Sequence, residues 1–215
     1  MEATTQTRPI TWNMTLERYF KEVGEKANCL SWCHKRAEEY FSAKTVIIDL
    51  PCIIIGSING FISVGAKQIF PGDDMSSLYI GVVALFVSLL NTISSYFSWG
   101  RRAEAHKMSS LNYAKLYRFL SVELSLPREE RMACPDLLKY TKSEYDRLSE
   151  ISPLLPPSVI DTFKSRFGKL SGISFPEEAN GLHAVAIYKP STEEPLSPQP
   201  LTPHSPALII REPSA

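Results

Sequence analysis

Between Lys44 and Arg101 the chain is almost free of charge, and this gap constrains its fold more than any other feature of the sequence. From Thr45 to Ala66 the only charged residue is Asp49, and from Met75 to Gly100 there is none. Both runs are rich in Ile, Val, Leu and Phe at their centres. An α-helix needs about 20 residues to cross a ~30 Å hydrocarbon core, so each run is long enough. The pattern predicts membrane spans at 45–66 and 78–99. Core helices of a soluble protein are the alternative, but the rest of the chain offers little mass to bury two helices that are apolar on every side.

The segment between the spans, Lys67 to Ser77, is short and carries a Pro71-Gly72 turn signal followed by Asp73 and Asp74. It can close only an antiparallel hairpin. Basic residues crowd the outer flanks: Lys26, Lys35, Arg36 and Lys44 before the first span, Arg101, Arg102, Lys107, Lys115 and Arg118 after the second. The positive-inside rule then predicts an integral membrane protein with both termini cytosolic. Tyr79, Tyr96 and Trp99 stand where interfacial belt residues are expected. The first apolar run comes late and follows a charged helix, so it does not read as a signal peptide.

Upstream of the spans, Leu16, Phe20, Val23, Ala27, Leu30, His34, Ala37 and Phe41 recur at steps of four and three. This is a heptad seam, with charged residues on the other faces and Thr15 as a candidate cap. Downstream, Tyr113, Leu116, Tyr117, Leu120 and Leu124 make a second stripe. Two such helices leaving one membrane face are expected to pair as an antiparallel stalk. Leu137, Leu138, Thr141, Tyr145 and Leu148 form an amphipathic face able to fold back on it. Pro127, Pro135 and Pro157 suit helix starts and Gly168 a helix stop.

The expected fold is therefore all-α: a two-pass transmembrane hairpin extended by cytosolic helices over 15–168. From Leu170 on, eight prolines punctuate a stretch with little to bury, read as a disordered Pro-rich tail over 170–215. Its Pro-x-x-Pro spacings and Ser/Thr-Pro pairs suggest a protein partner for the tail, although such patterns arise easily in any chain rich in proline and serine.

Lys plus Arg and Asp plus Glu both number 23. That balance argues against a nucleic-acid partner, which would ask for a basic face. Cys29, Cys33, Cys52 and Cys134 complete neither a disulfide framework nor a zinc pattern, although Cys29, Cys33 and His34 together hint at metal. Buried thiols and a packed or bridging His34 are the simpler reading. His34, His106, His183 and His204 are scattered, and no nucleophile and base lie on matching elements. No catalytic residue, metal or cofactor is expected.

At membrane depth, Asp49, Cys52, Gly56, Asn59, Gly60 and Ser63 share one face of the first span. Gly56 and Gly60 have the small-xxx-small spacing that lets backbones approach. Gly81, Ala84, Ser88, Asn91, Thr92 and Ser95 form a matching stripe in the second span. Polar side chains are costly in hydrocarbon, so these faces should meet protein or water. Two readings stand. The stripes glue the helices together, with Asn59 bonding Asn91; or Asp49, Gly56, Asn59, Gly60, Ser63, Ser88, Asn91 and Ser95 line a pore, which requires a homo-oligomer. Asp49 could form a ring of charge, or sit at the interface with Lys44 one turn away.

A charged N-terminal helix with Trp32 and Tyr40 leads into Leu50-Pro51-x-Ile53-Ile54 and Gly60. A second span then runs into Arg102-Ala-Glu104-Ala-His106-Lys107 and Tyr113-x-x-Leu116-Tyr117. This arrangement, over about Leu16 to Phe167, resembles the SLATT family, the two-transmembrane domain associated with SMODS and SLOG domains. The resemblance implies a membrane effector that forms pores or perturbs the bilayer when a conflict system is triggered by a nucleotide signal. No nucleotide-binding Gly-rich loop accompanies it here. A membrane-anchored adaptor, recruiting partners through the stalk and the Pro-rich tail, is the competing function.

Overall fold

The computed structural model describes residues 10–69, 75–170 and 172–181. Among them the structure is all-helical, with six helices: α1 Met14–Ile69, α2 Ser76–Phe97, α3 Trp99–Ser125, α4 Cys134–Ile151, α5 Pro157–Phe167 and the short α6 Glu177–Asn180. The Pro-Gly turn of the hairpin and the tail from Leu182 onward lie outside the described residues.

Helix α1 runs for 56 residues without interruption. Asn13, rather than Thr15, caps it: the Leu16 amide donates to Asn13 Oδ1 at 2.9 Å, satisfying one of the first-turn donors that no helical carbonyl can reach. Pro51 lies inside the helix without ending it.

The charged half of α1 pairs along its length with α3. Phe20, Val23, Ala27, Leu30, His34, Ala37 and Phe41 are all buried, as are Tyr113, Leu116 and Leu120 opposite them. The heptad seam is thus the stalk contact that the spacing predicts. Helix α4 lies on this pair through Leu137, Thr141 and Leu148, each fully buried. Glu17 fastens the distal end, accepting from Arg128 Nε at 2.9 Å and Arg131 Nη1 at 2.6 Å. Those arginines hold the Glu17 carboxyl down to about 2.

A second, smaller core forms where α5 packs Val159 and Phe163 on Cys33 and Ala37, with Trp32, Phe167, Phe175 and Ala179 around them. This extends the packed body beyond the boundary expected at Leu170. The Ser174 amide donates to Glu25 Oε2 at 2.9 Å, and Pro176 is fully buried. The residues from 172 to 181 therefore belong with the helices rather than with the tail.

The apolar halves contrast with the body. Two long helical stretches, one in α1 and one starting at α2, are apolar enough to cross a membrane, and only 6% of each such window is buried. Val46, Ile47, Ile53, Ile58, Phe61, Val64, Leu78, Val82, Leu85, Phe86 and Leu89 are exposed. A surface of this size and chemistry on two adjacent helices matches a lipid-facing surface rather than a hydrated one.

Helix α2 stops at Phe97, two residues before the expected end of the second span. Ser98 adopts a left-handed conformation (φ 50°, ψ 41°) before α3 begins at Trp99. Outside glycine this conformation is uncommon, though single short polar residues adopt it. Ser98 Oγ accepts from Arg101 at 2.7 Å and donates to the Ser95 carbonyl at 2.8 Å, which holds the break in place.

Candidate functional site

The hairpin is held by one face of α1 spaced at four and three. Thr45 lies against Gly100. Asp49 Oδ1 accepts from Ser94 Oγ at 2.6 Å. Cys52 is buried, and a Cβ on Gly56 would stand 3.6 Å from Val87. Asn59 Nδ2 donates to the Ile80 carbonyl at 3.3 Å. On α2 the contact face is therefore Ile80, Val87 and Ser94, seven residues apart, and the polar stripe lies to one side of it.

This rotation leaves an open groove of about 870 Å³ along the hairpin, lined by Gly56, Asn59, Gly60, Ser63, Gly81, Ala84, Ser88, Asn91, Thr92 and Ser95, with Ile80, Val87 and Tyr96. Seven of the eight candidate residues therefore share one surface: Gly56, Asn59, Gly60, Ser63, Ser88, Asn91 and Ser95. Gly60 and Gly81 face open space, and Ser63, Ser88, Asn91 and Ser95 are exposed. Asp49 is the exception. It is turned into the α1–α2 contact against Ser94, while Lys44 lies over the Tyr40 ring at 4.4 Å.

Two expectations about helix packing change as a result. Asn59 and Asn91 do not bond across the hairpin. The antiparallel register that sets Gly56 beside Val87 and Asn59 beside Ile80 places Asn91 roughly two turns from Asn59, about 12 Å along the axis. Of the two glycines, Gly56 alone meets the neighbouring helix, whereas Gly60 belongs to the groove wall. The stripes were legible from spacing. Their offset from the contact face was not, because it depends on which heptad position of α2 meets α1.

On the hairpin side of the stalk a second polar feature is fully enclosed. His34 Nδ1 and His106 Nδ1 stand 2.9 Å apart, His34 stacked on Tyr113 and His106 on Phe41. Both rings are buried. An Nδ1–Nδ1 contact holds one proton, so one imidazole is the donor and its neighbour the acceptor. Burial, and then the adjacent His106, pull His34 down to about 4. Burial and the Arg102 guanidinium lower His106 as well. His34 is thus the bridging residue that the simpler sequence reading foresaw. Its partner could not be read from the sequence.

The thiols near this end are inert by the same physics. Burial pushes Cys29 up to about 11 and Cys33 up to about 12, so little of either is thiolate near neutrality. Among the described residues no cluster of His, Cys, Asp or Glu has the geometry to hold a metal ion.

These features define a class of architecture: an apolar two-helix hairpin, polar on one side, continuous with a charged helical stalk. No protein-family model, curated protein or solved structure matches the chain.

Proposed function

We propose that the chain is a membrane effector of the SLATT type, and that several hairpins assemble in the bilayer with their polar grooves facing a shared water-filled path. One observation carries this reading: Ser63, Ser88, Asn91 and Ser95 are exposed along one groove, on helices whose large exposed side chains are mostly Ile, Val, Leu and Phe. Left in lipid, each hydroxyl or amide without a partner costs free energy. A second copy or water relieves that cost, and a single hairpin cannot enclose water by itself. In this arrangement both termini and the stalk are cytosolic, and the stalk is the part that receives a trigger.

The test is thiol accessibility combined with leakage in liposomes. In a Cys29→Ser background the three other native thiols are buried, so a cysteine introduced at position 91 dominates labelling. Asn91→Cys should react with a small water-soluble thiol reagent faster than Phe86→Cys, and the protein should release an encapsulated dye. Replacing Asn91 and Ser88 with Leu should abolish leakage while the far-ultraviolet circular dichroism is kept. If neither position labels and no dye escapes, the pore reading fails and the anchored adaptor takes its place.

A further inference from the structure

The loop between α4 and α5 carries an apolar tip that neither core uses. Leu154 is 94% exposed and Ile151 55%. Leu155 turns the other way and packs on both core clusters. With Leu155 anchored inward, its neighbour in an extended segment must point outward. From Ile151 to Ile160 there is no charged side chain, in a body whose surface is otherwise rich in charge. Pro153, Pro156 and Pro157 have no amide N–H, so this backbone needs few hydrogen-bond donors satisfied.

The position of the loop follows from two registers. Helix α4 runs antiparallel to α3, with Tyr140 against Phe119 at 4.9 Å and Tyr145 against Tyr113 at 6.4 Å. Its last turn therefore points towards the apolar hairpin. Helix α5 runs back antiparallel to α1, with Phe167 and Phe163 on Trp32 at 5.0 and 5.7 Å, and Ser158 and Val159 share a cleft with Tyr40 and Ala43. Since α1 is one continuous helix, it serves as a ruler. Ala43 lies about a turn from Val46 and Ile47, the first exposed apolar residues of the hairpin. Ser158, just past the end of the loop, is thus brought level with Tyr40 and Ala43, about a turn short of Val46, so the loop lies on the hairpin side of the body.

We infer that Ser152–Pro156 is a second membrane contact, with Leu154 seated in the interfacial layer of the same bilayer that holds the hairpin. The loop continues the lipid-facing surface sideways from the helix pair, and its neutral, proline-rich composition suits a layer where amides find few partners. This rests on the reading that the hairpin spans a bilayer. Its consequence is a stalk attached to the membrane at two points rather than one, which restricts its tilt.

Single cysteines carrying a polarity-sensitive fluorophore test the inference in full-length protein reconstituted into vesicles of zwitterionic and anionic lipid. Leu154→Cys is the test position, Leu85→Cys reports on the hairpin and Lys139→Cys on the distal body. Nitroxide lipids labelled near the headgroup should quench Leu154→Cys strongly and Lys139→Cys hardly at all. Lipids labelled near the chain end should quench Leu85→Cys most. Quenching at Leu85→Cys with Leu154→Cys as unquenched as Lys139→Cys would overturn the loop contact and leave the spanning reading intact. No quenching at Leu85→Cys would overturn the spanning reading and the loop contact with it. A Leu154→Cys probe untouched by lipid but shielded from aqueous iodide as protein density rises would assign the loop to a contact between copies, and overturn the inference.

Discussion

His34 and His106 share a single proton across 2.9 Å at the buried base of the stalk. An unfolded histidine takes up protons near 6.5, whereas folded His34 does so at about 4. Between those values the unfolded chain binds more protons, so stability falls as pH drops from about 6.5 to about 4 and is full above that window. The shift corresponds to a loss on the order of 3 kcal/mol. Thermal unfolding in detergent, followed by tryptophan fluorescence, should show this loss, and His34→Leu/His106→Leu should flatten it without stranding a polar partner.

Glu17 gives a second, separate acid window. Its carboxyl is lowered to about 2 by Arg128 and Arg131, so its contribution is present above about 4.5 and is lost as pH falls towards 2. The pair is partly exposed and screened. Glu17→Gln should therefore cost only about 1 kcal/mol at neutral pH, and urea titration of the reconstituted protein should reveal it as a lower midpoint at unchanged slope.

Thr141 is fully buried in α4, and its hydroxyl has no hydrogen-bond partner. Thr141→Val keeps the shape and removes the unsatisfied group, so it should raise stability by about 1 kcal/mol. A Tm at or below that of the parent would show that the hydroxyl is satisfied in the folded protein.

The two glycines of α1 should separate hairpin packing from assembly. Gly56→Leu drives a side chain into Val87 and should weaken the hairpin itself, read as a loss of crosslinking between cysteines placed at Thr45 and Gly100. Gly60→Leu meets open space within one copy. It should leave that crosslink intact and shift the oligomer distribution in mild detergent.

Topology has its own check. Asn13-Met14-Thr15 is an acceptor for N-glycosylation and should stay unmodified in a eukaryotic membrane if the termini are cytosolic. Because Asn13 also caps α1, Thr15→Ala is the informative control. A glycosidase-sensitive mass shift that this change abolishes would reverse the orientation.

The stalk seam was readable because burial on a straight helix repeats every three or four residues, and Phe20 to Phe41 obey that period without exception. The two apolar runs were readable because, Asp49 apart, charge is absent from them. What escaped the sequence depends on the register between helices. Asn59 and Asn91 look like partners by residue type, but Ile80 and Val87 set a pairing that keeps them apart. His106 lies 72 residues from His34, and no local pattern links them. Composition misplaced the tail boundary for a related reason. Phe175 and Pro176 sit in a stretch that reads as linker, and only the cleft beside Trp32 and the Glu25 carboxylate far upstream hold it.

Pro51 and Ser98 weaken the two helices of the hairpin within two turns of each other. Asp49 faces Ser94, so Pro51 and Ser98 lie about 9 Å apart along the axis. In α1 the proline has no N–H to give the Ile47 carbonyl, and kinks concentrate where that ladder is broken. In the other strand of the pair, continuity is interrupted outright by a left-handed residue. The two weakened points thus fall within one stretch of the pair about 9 Å long. A load on the stalk is therefore expected to bend the pair there rather than pass rigidly into the apolar helices, and the Asp49–Ser94 bond within that stretch ties the two helices to one register.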